Sequence, residues 1–298
     1  MWIIYALLHW ALMAWCNYLD EYLSLNNSVH ESKSIHEKIW GVLLISTLFW
    51  FLSILIFWFL IDSFFISQRG LIFSFFSAIP MVSTWAWYFY LLQLYPTNKV
   101  VPLFWISSIW LLIFELIFWA SLWFFPLIWI FILVIGAYIL DANTIKWKIP
   151  TQLFFYMLVV TSFWALTLFF IKQATIQDGS MVVFFYQYVG IFVLWILWLF
   201  IKPFRKGFIH RIKEQWKLFL WLSFWAEWLA QISFYFSVLA VSLAPIAAYV
   251  SAISSVQYIC INILFFLFPL HERNKISLLQ IFAIFIIIFW VILIELTT

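Results

Sequence analysis

Few side chains in this chain could do chemistry, and Glu227 comes first. It sits in "FWAEWLAQ", residues 224–231, near the middle of an apolar run from about Leu218 to Ala240. A charged carboxylate at the centre of a bilayer costs about 2.5–3.5 kcal/mol on insertion scales. Such a group faces an aqueous cavity, finds a partner or stays protonated. Gln231 follows four residues on, so both side chains share one helical face, with Phe224 on the same side. Two readings stand side by side: an acid that binds substrate or a proton, and a neutral acid tied to a neighbouring helix.

The other candidates are sparser. Gln187 and Gln257 are mid-run amides. An amide both donates and accepts, which suits a zwitterionic or hydroxylated substrate. It also serves as a tie between helices, worth about 0.6–2 kcal/mol. His9 is a candidate proton relay or a packing histidine. Glu115, Asp62 and Glu295 lie near run ends and are expected to reach the membrane interface. Pro102 in "VVPLF" and Pro245 in "LAPIAAY" begin apolar runs. They are expected to set the angles at which those helices start and to leave carbonyls free toward a cavity. No His-Glu-x-x-His, no paired intramembrane aspartates and no Ser/His constellation occur, so an enzyme is not expected. Cys16 and Cys260 both fall in apolar runs, with no disulfide framework and no metal-ligand spacing. Neither a metal nor another cofactor is expected. A net charge of +3 with no interleaved basic segment gives no footprint for nucleic acid.

These residues must be held by membrane helices. The chain is 67% hydrophobic and 9% charged, whereas a soluble domain is about a quarter charged. Continuous apolar runs reach the roughly 20 residues that cross a bilayer as helix, and the alternation of a β-barrel is missing. Ten spans fit: 2–19, 39–61, 71–94, 100–118, 122–140, 152–171, 180–201, 218–240, 243–267 and 277–296. The first run lacks a basic leader and a cleavage site and is read as a span, not a signal peptide. Of the Lys and Arg residues, 13 fall in loops after odd-numbered spans and 2, Arg69 and Lys172, in loops after even-numbered ones. The positive-inside rule then places the odd loops in the cytoplasm and both termini outside. The basic stretch 202–217 anchors that orientation and could also meet anionic headgroups. Of the tryptophans, Trp2, Trp40, Trp123, Trp147 and Trp216 sit near predicted ends, where indole favours the interface. Trp110, Trp164 and Trp225 are mid-span, placed for core packing or for lining a pocket through ring faces.

Landmarks recur in the two halves. "WAL" occurs at 10–12 and 164–166, and Tyr90 precedes Pro102 much as Tyr235 precedes Pro245. Five spans per half is odd, so the halves would insert with opposite orientation, as in secondary transporters with a midplane site at the repeat interface.

On "NKVVPLFWISSIWLLIFELIFW" (98–119), "FFPLIWIFILVIGAYIL" (124–140, with Gly136), "APIAAYVSAISSVQYICINILFFL" (244–267) and "ISLLQIFAIFIIIFWVILI" (276–294), the chain resembles the EamA-like branch of the drug/metabolite transporter superfamily. Lys172, closing "FWALTLFFIK", matches a lysine that often closes the first span of each repeat. The chain departs from the pattern at Ala120-Ser121, where a Gly-Glu pair is common, and at Tyr18, where the first-half lysine would stand. The resemblance implies an all-α membrane protein of ten transmembrane helices in two inverted five-helix repeats, 1–140 and 152–298, joined by 141–151. It implies a carrier of small organic metabolites such as amino acids, with proton coupling as an option, in the plasma (inner) membrane. The expected partners are a small-molecule substrate and membrane lipid. A flippase for a lipid-linked metabolite is the alternative within transport, and a non-transporting assembly factor or membrane enzyme the alternative outside it.

Overall fold

The structure is a computed structural model that describes residues 1–26, 48–51, 54–61, 63–118, 150–202, 205–206, 208–209 and 218–268, with 128, 285 and 289 as single positions. The expected fifth and tenth spans, the start of the second, Gly136, Asp62, Glu295, most of the basic stretch after 209, and Trp40, Trp123, Trp147 and Trp216 lie outside the described residues.

Among the described residues every regular element is helical. The long helices are α1 (Trp2–Asn26), α2 (Gln68–Leu94), α5 (Thr151–Thr175), α6 (Ser180–Leu199) and α7 (Leu218–Leu243). All five are long and apolar enough to cross a bilayer. Length and composition make this an all-α membrane protein. Shorter helical pieces occupy 48–51 and 54–60.

Two expected spans are not single helices. The fourth is α3 (Thr97–Val100), a 3-10 segment (Val101–Trp105) with Pro102 in its first turn, then α4 (Ile106–Phe118). Proline fits there because a helix start has no amide bond to lose. The ninth is α8 (Ala247–Ala252) and α9 (Ser255–Leu267). Between them, Ser254 N bonds Ser251 O, Val256 N bonds Ile253 O and Gln257 N bonds Ser254 O, so three successive tightened turns replace the α ladder.

α1 lies antiparallel along α7. Tyr5 stacks on Phe236 at 5.9 Å, Ser233 Oγ donates to His9 O at 2.8 Å, and the Cys16 thiol donates to Ala226 O at 3.5 Å. α2 lies antiparallel along α5. Arg69 donates to Gln173 Oε1 at 2.7 Å, Phe73 stacks on Phe170 at 5.9 Å, and Trp87 meets Tyr156 at 5.8 Å. α4 packs on α5, as α9 packs on α1. Pro80 falls inside α2, where Thr84 Oγ1 donates to the Pro80 carbonyl at 2.9 Å.

α2 begins where Ser67 caps it. Ser67 Oγ accepts the Gly70 amide at 2.9 Å, while its own amide and hydroxyl donate to Asp178 at 2.8 and 2.6 Å. Gly70 is glycine for space, since a Cβ there would run into the Asp178 carboxylate. Gly190 on α6 likewise lets α2 approach, for a Cβ there would sit 3.0 Å from Ala78 Cβ.

The break between α7 and α8 is held from both sides. Lys172, from α5, donates to the carbonyls of Val241, Ser242 and Ala244 at 3.0, 3.4 and 2.5 Å. Glu115, from α4, accepts the amides of Ala247 and Ala248 at 2.6 and 3.4 Å. Helix ends leave such groups without intrahelical partners, and burial would make that costly. The expectation that Glu115 reaches the membrane interface is corrected here. It is buried because two orphan amides of the broken chain need its carboxylate. Pro245 lies exposed in the break itself.

Candidate functional site

A cavity of about 20 Å³ lies where α1, α2, the 3-10 segment, α5 and α9 meet. α1 contributes Trp10, Met13 and Asn17, and α2 contributes Thr84, Trp85 and Tyr88. Phe104, Trp164 and Gln257 complete the lining. Such a space holds about one water molecule. Trp10 Nε1 donates to Val250 O at 2.9 Å, and the Tyr88 hydroxyl donates to Asn17 Oδ1 at 2.8 Å. Three other lining atoms are buried without a partner: Trp85 Nε1, Trp164 Nε1 and Gln257 Oε1. Buried polar atoms are normally satisfied, so two donors and one acceptor converge on a space with nothing in it to bond.

The rings around the cavity stand at angles rather than in a stack. Trp10 meets Trp164 edge-on at 6.4 Å, Trp85 meets Tyr88 edge-on at 5.4 Å, and Tyr88 meets Phe104 edge-on at 6.2 Å. The result is a box of ring faces and edges. Trp225, by contrast, is 47% exposed on the outer surface, and Trp110 stacks on Phe114. Trp2, expected at the interface, is buried and stacks on Tyr249 at 5.9 Å.

The sequence candidates are distributed around this centre. Gln257 lines the cavity. His9, next to Trp10, stacks on Trp164 at 6.2 Å and reaches Ser233. The Ser233 hydroxyl donates to the His9 carbonyl at 2.8 Å, so its oxygen accepts from His9 Nδ1 at 2.7 Å. That assigns the proton to Nδ1 and leaves Nε2 a bare acceptor, buried and without a partner. Glu227 is buried and accepts a hydrogen bond from Trp50 Nε1. Trp50 meets Trp85 edge-on at 6.5 Å and Tyr188 at 5.8 Å. Glu227 thus stands one ring layer behind the cavity wall. Gln231 is 4% exposed, and neither atom of its amide has a partner. Gln187 lies elsewhere, with its amide nitrogen 3.2 Å from Met81 Sδ between α6 and α2.

Sequence reasoning missed Asn17, Thr84, Trp85 and Tyr88 on the cavity, and the buried acids Asp20 and Glu21 next to it. A signal existed. Trp10, Met13 and Asn17 recur three and four residues apart, and Ser74, Ser77, Thr84 and Tyr88 form a buried polar stripe at helical spacing on α2. In a soluble protein polar stripes face water, whereas in a membrane helix they face inward.

No protein-family model matches this chain, and neither does any curated protein. Among solved structures 21 chains match. One of them, a crystal structure of a protein, aligns over 99% of this chain and 96% of its own, with a TM-score of 0.65 and 11% identity. At that identity the likeness speaks for the fold alone.

Proposed function

We propose that the protein is a secondary transporter, moving small organic metabolites by alternating access between two inverted five-helix halves, 1–140 and 152–298. The observation that carries this reading is the cavity with unpaired donors and acceptor, set where helices of both halves meet. The helix pairing supports it. If a two-fold axis in the membrane plane exchanges α1 with α5 and α7 with α2, the α1–α7 contact becomes the α5–α2 contact. The α4–α5 contact becomes the α9–α1 contact in the same way. Equivalent residues should then touch near the axis. The tryptophans of the two "WAL" triplets, Trp10 and Trp164, do meet. Ser251 meets Ser107 at 2.6 Å and Ser108 at 3.3 Å. Ser108 precedes Ser251 by the same interval that separates Pro102 from Pro245.

A pocket for a drug-sized ligand has about 300 Å³ or more, so a cavity of about 20 Å³ is a closed state that must open to load. Glu227, behind Trp85, is the group proposed to carry a coupling proton. The test is counterflow in proteoliposomes across a panel of small metabolites. Saturable exchange lost in Gln257→Leu is the expected result, and the absence of exchange for every solute overturns the reading.

A lipid-linked cargo is the second reading. It draws on a groove of about 380 Å³ between α2 and α6, lined by Leu71, Ile72, Phe75, Phe76, Ile79, Gly190, Val193 and Leu194. That groove could take an acyl chain but offers no polar side chain to a headgroup, so the central cavity is preferred.

A further inference from the structure

The central cavity also has a sign. None of its nine lining residues is a lysine, arginine or histidine. Asp20 and Glu21 follow Asn17 within about one turn of α1, and both are buried. The Tyr88 hydroxyl, which donates to Asn17, lies within the field of both acids. Asp20 and Cys16 in turn lie within the field of Glu227. The cationic Lys172 is engaged elsewhere, on the carbonyls at the α7–α8 break.

Three features of the wall favour the same ligand. Tryptophan and tyrosine faces set at angles form the kind of cage that attracts cations, most strongly when desolvated. The free acceptor is Gln257 Oε1, 98% buried by the residue's 2% exposure, and it asks for an N–H donor. The free donors, Trp85 Nε1 and Trp164 Nε1, ask for a neutral oxygen such as a hydroxyl. A carboxylate could also take those donors, but it would enter a field set by Asp20, Glu21 and Glu227 with no lining cation to offset it.

We propose that the cavity takes a small organic monocation that carries at least one N–H and a hydroxyl, in preference to the zwitterion or the neutral alcohol of the same skeleton. The ring box holds the cation, Gln257 Oε1 accepts its N–H, and the indole N–H groups donate to its hydroxyl. The inference rests on the transport reading above, since a cavity closed to about 20 Å³ admits such a ligand only when the two halves part.

Three probes share one ring and one phenol and differ in charge: tyramine as cation, free tyrosine as zwitterion and tyrosol as neutral alcohol. Binding to the purified wild-type protein is measured by titration calorimetry, and transport by counterflow in proteoliposomes. Tyramine is expected to bind at least about tenfold tighter than either of the others, a step of about 1.4 kcal/mol. N,N,N-Trimethyltyramine, which lacks the N–H, is expected to fall between them. Asp20→Asn should weaken tyramine severalfold and leave tyrosol unchanged, and Glu227→Gln provides the same contrast if Asp20→Asn does not fold. Tyrosine binding as tightly as tyramine overturns the cation assignment, and so does tyrosol doing so. No saturable tyramine binding at millimolar concentration overturns it as well. Tyramine bound with the predicted preference but without counterflow upholds the site and overturns the transport reading instead.

Discussion

At the scale of single residues, Glu227 shows what an intramembrane acid needs. Its carboxylate has the Trp50 indole N–H as a partner, and Asp20, Cys16 and Tyr188 lie within its field. Glu227→Gln keeps an oxygen for Trp50 but removes titration. It should leave the melting temperature nearly unchanged and abolish the pH dependence of flux. Glu227→Ala strands a buried N–H, at a cost of about 1–3 kcal/mol, and should lower the melting temperature. Unaltered pH dependence in Glu227→Gln would reduce Glu227 to a structural tie. The sequence made Glu227 conspicuous because charge in an apolar run is rare. It could not show Trp50 as its partner, because that contact joins residues 177 positions apart. Asn17 and Tyr88 were illegible for the same reason, since neither is unusual until α1 and α2 are brought together.

At the scale of elements, the α7–α8 break is the least expected feature. Pro245 marks it in the sequence, but the groups that stabilise it come from α4 and α5. Glu115→Ala exposes two buried amides of α8 to no partner and should cost about 1–3 kcal/mol per group by thermal melting. Glu115→Gln, which retains an acceptor, should recover part of that loss. Lys172→Met strands the carbonyls at the end of α7 and should destabilise comparably. Because both side chains hold one junction, the double variant should lose less than the sum of the two. Full additivity would mean that they act separately. Gly70→Ala should also lower the melting temperature, since a Cβ there collides with the Asp178 carboxylate that holds Ser67 at the start of α2. The long helices were readable from hydropathy because a bilayer demands continuous apolar length. The breaks in the fourth and ninth spans were not, because hydropathy is blind to whether turns are α or 3-10.

At the scale of the whole molecule, the account is two inverted halves closed around a polar cavity. The charge asymmetry places loop 202–217 in the cytoplasm, so cysteines introduced at 205 or 206 should react with an impermeant reagent only after cells are opened. Reaction in intact cells would reverse the orientation. The repeat was faintly legible in "WAL" and in the two prolines. What gives those landmarks meaning is spatial: Trp10 against Trp164 and Ser107 against Ser251. The most direct measurement of alternating access uses that second contact. In a background with Cys16 and Cys260 replaced by serine, Ser107→Cys with Ser251→Cys places two thiols where the hydroxyl oxygens stand 2.6 Å apart. If the halves must part there to move substrate, oxidation to the disulfide abolishes counterflow in proteoliposomes and reduction restores it. Counterflow that continues at the reduced rate with the disulfide fully formed would contradict the account.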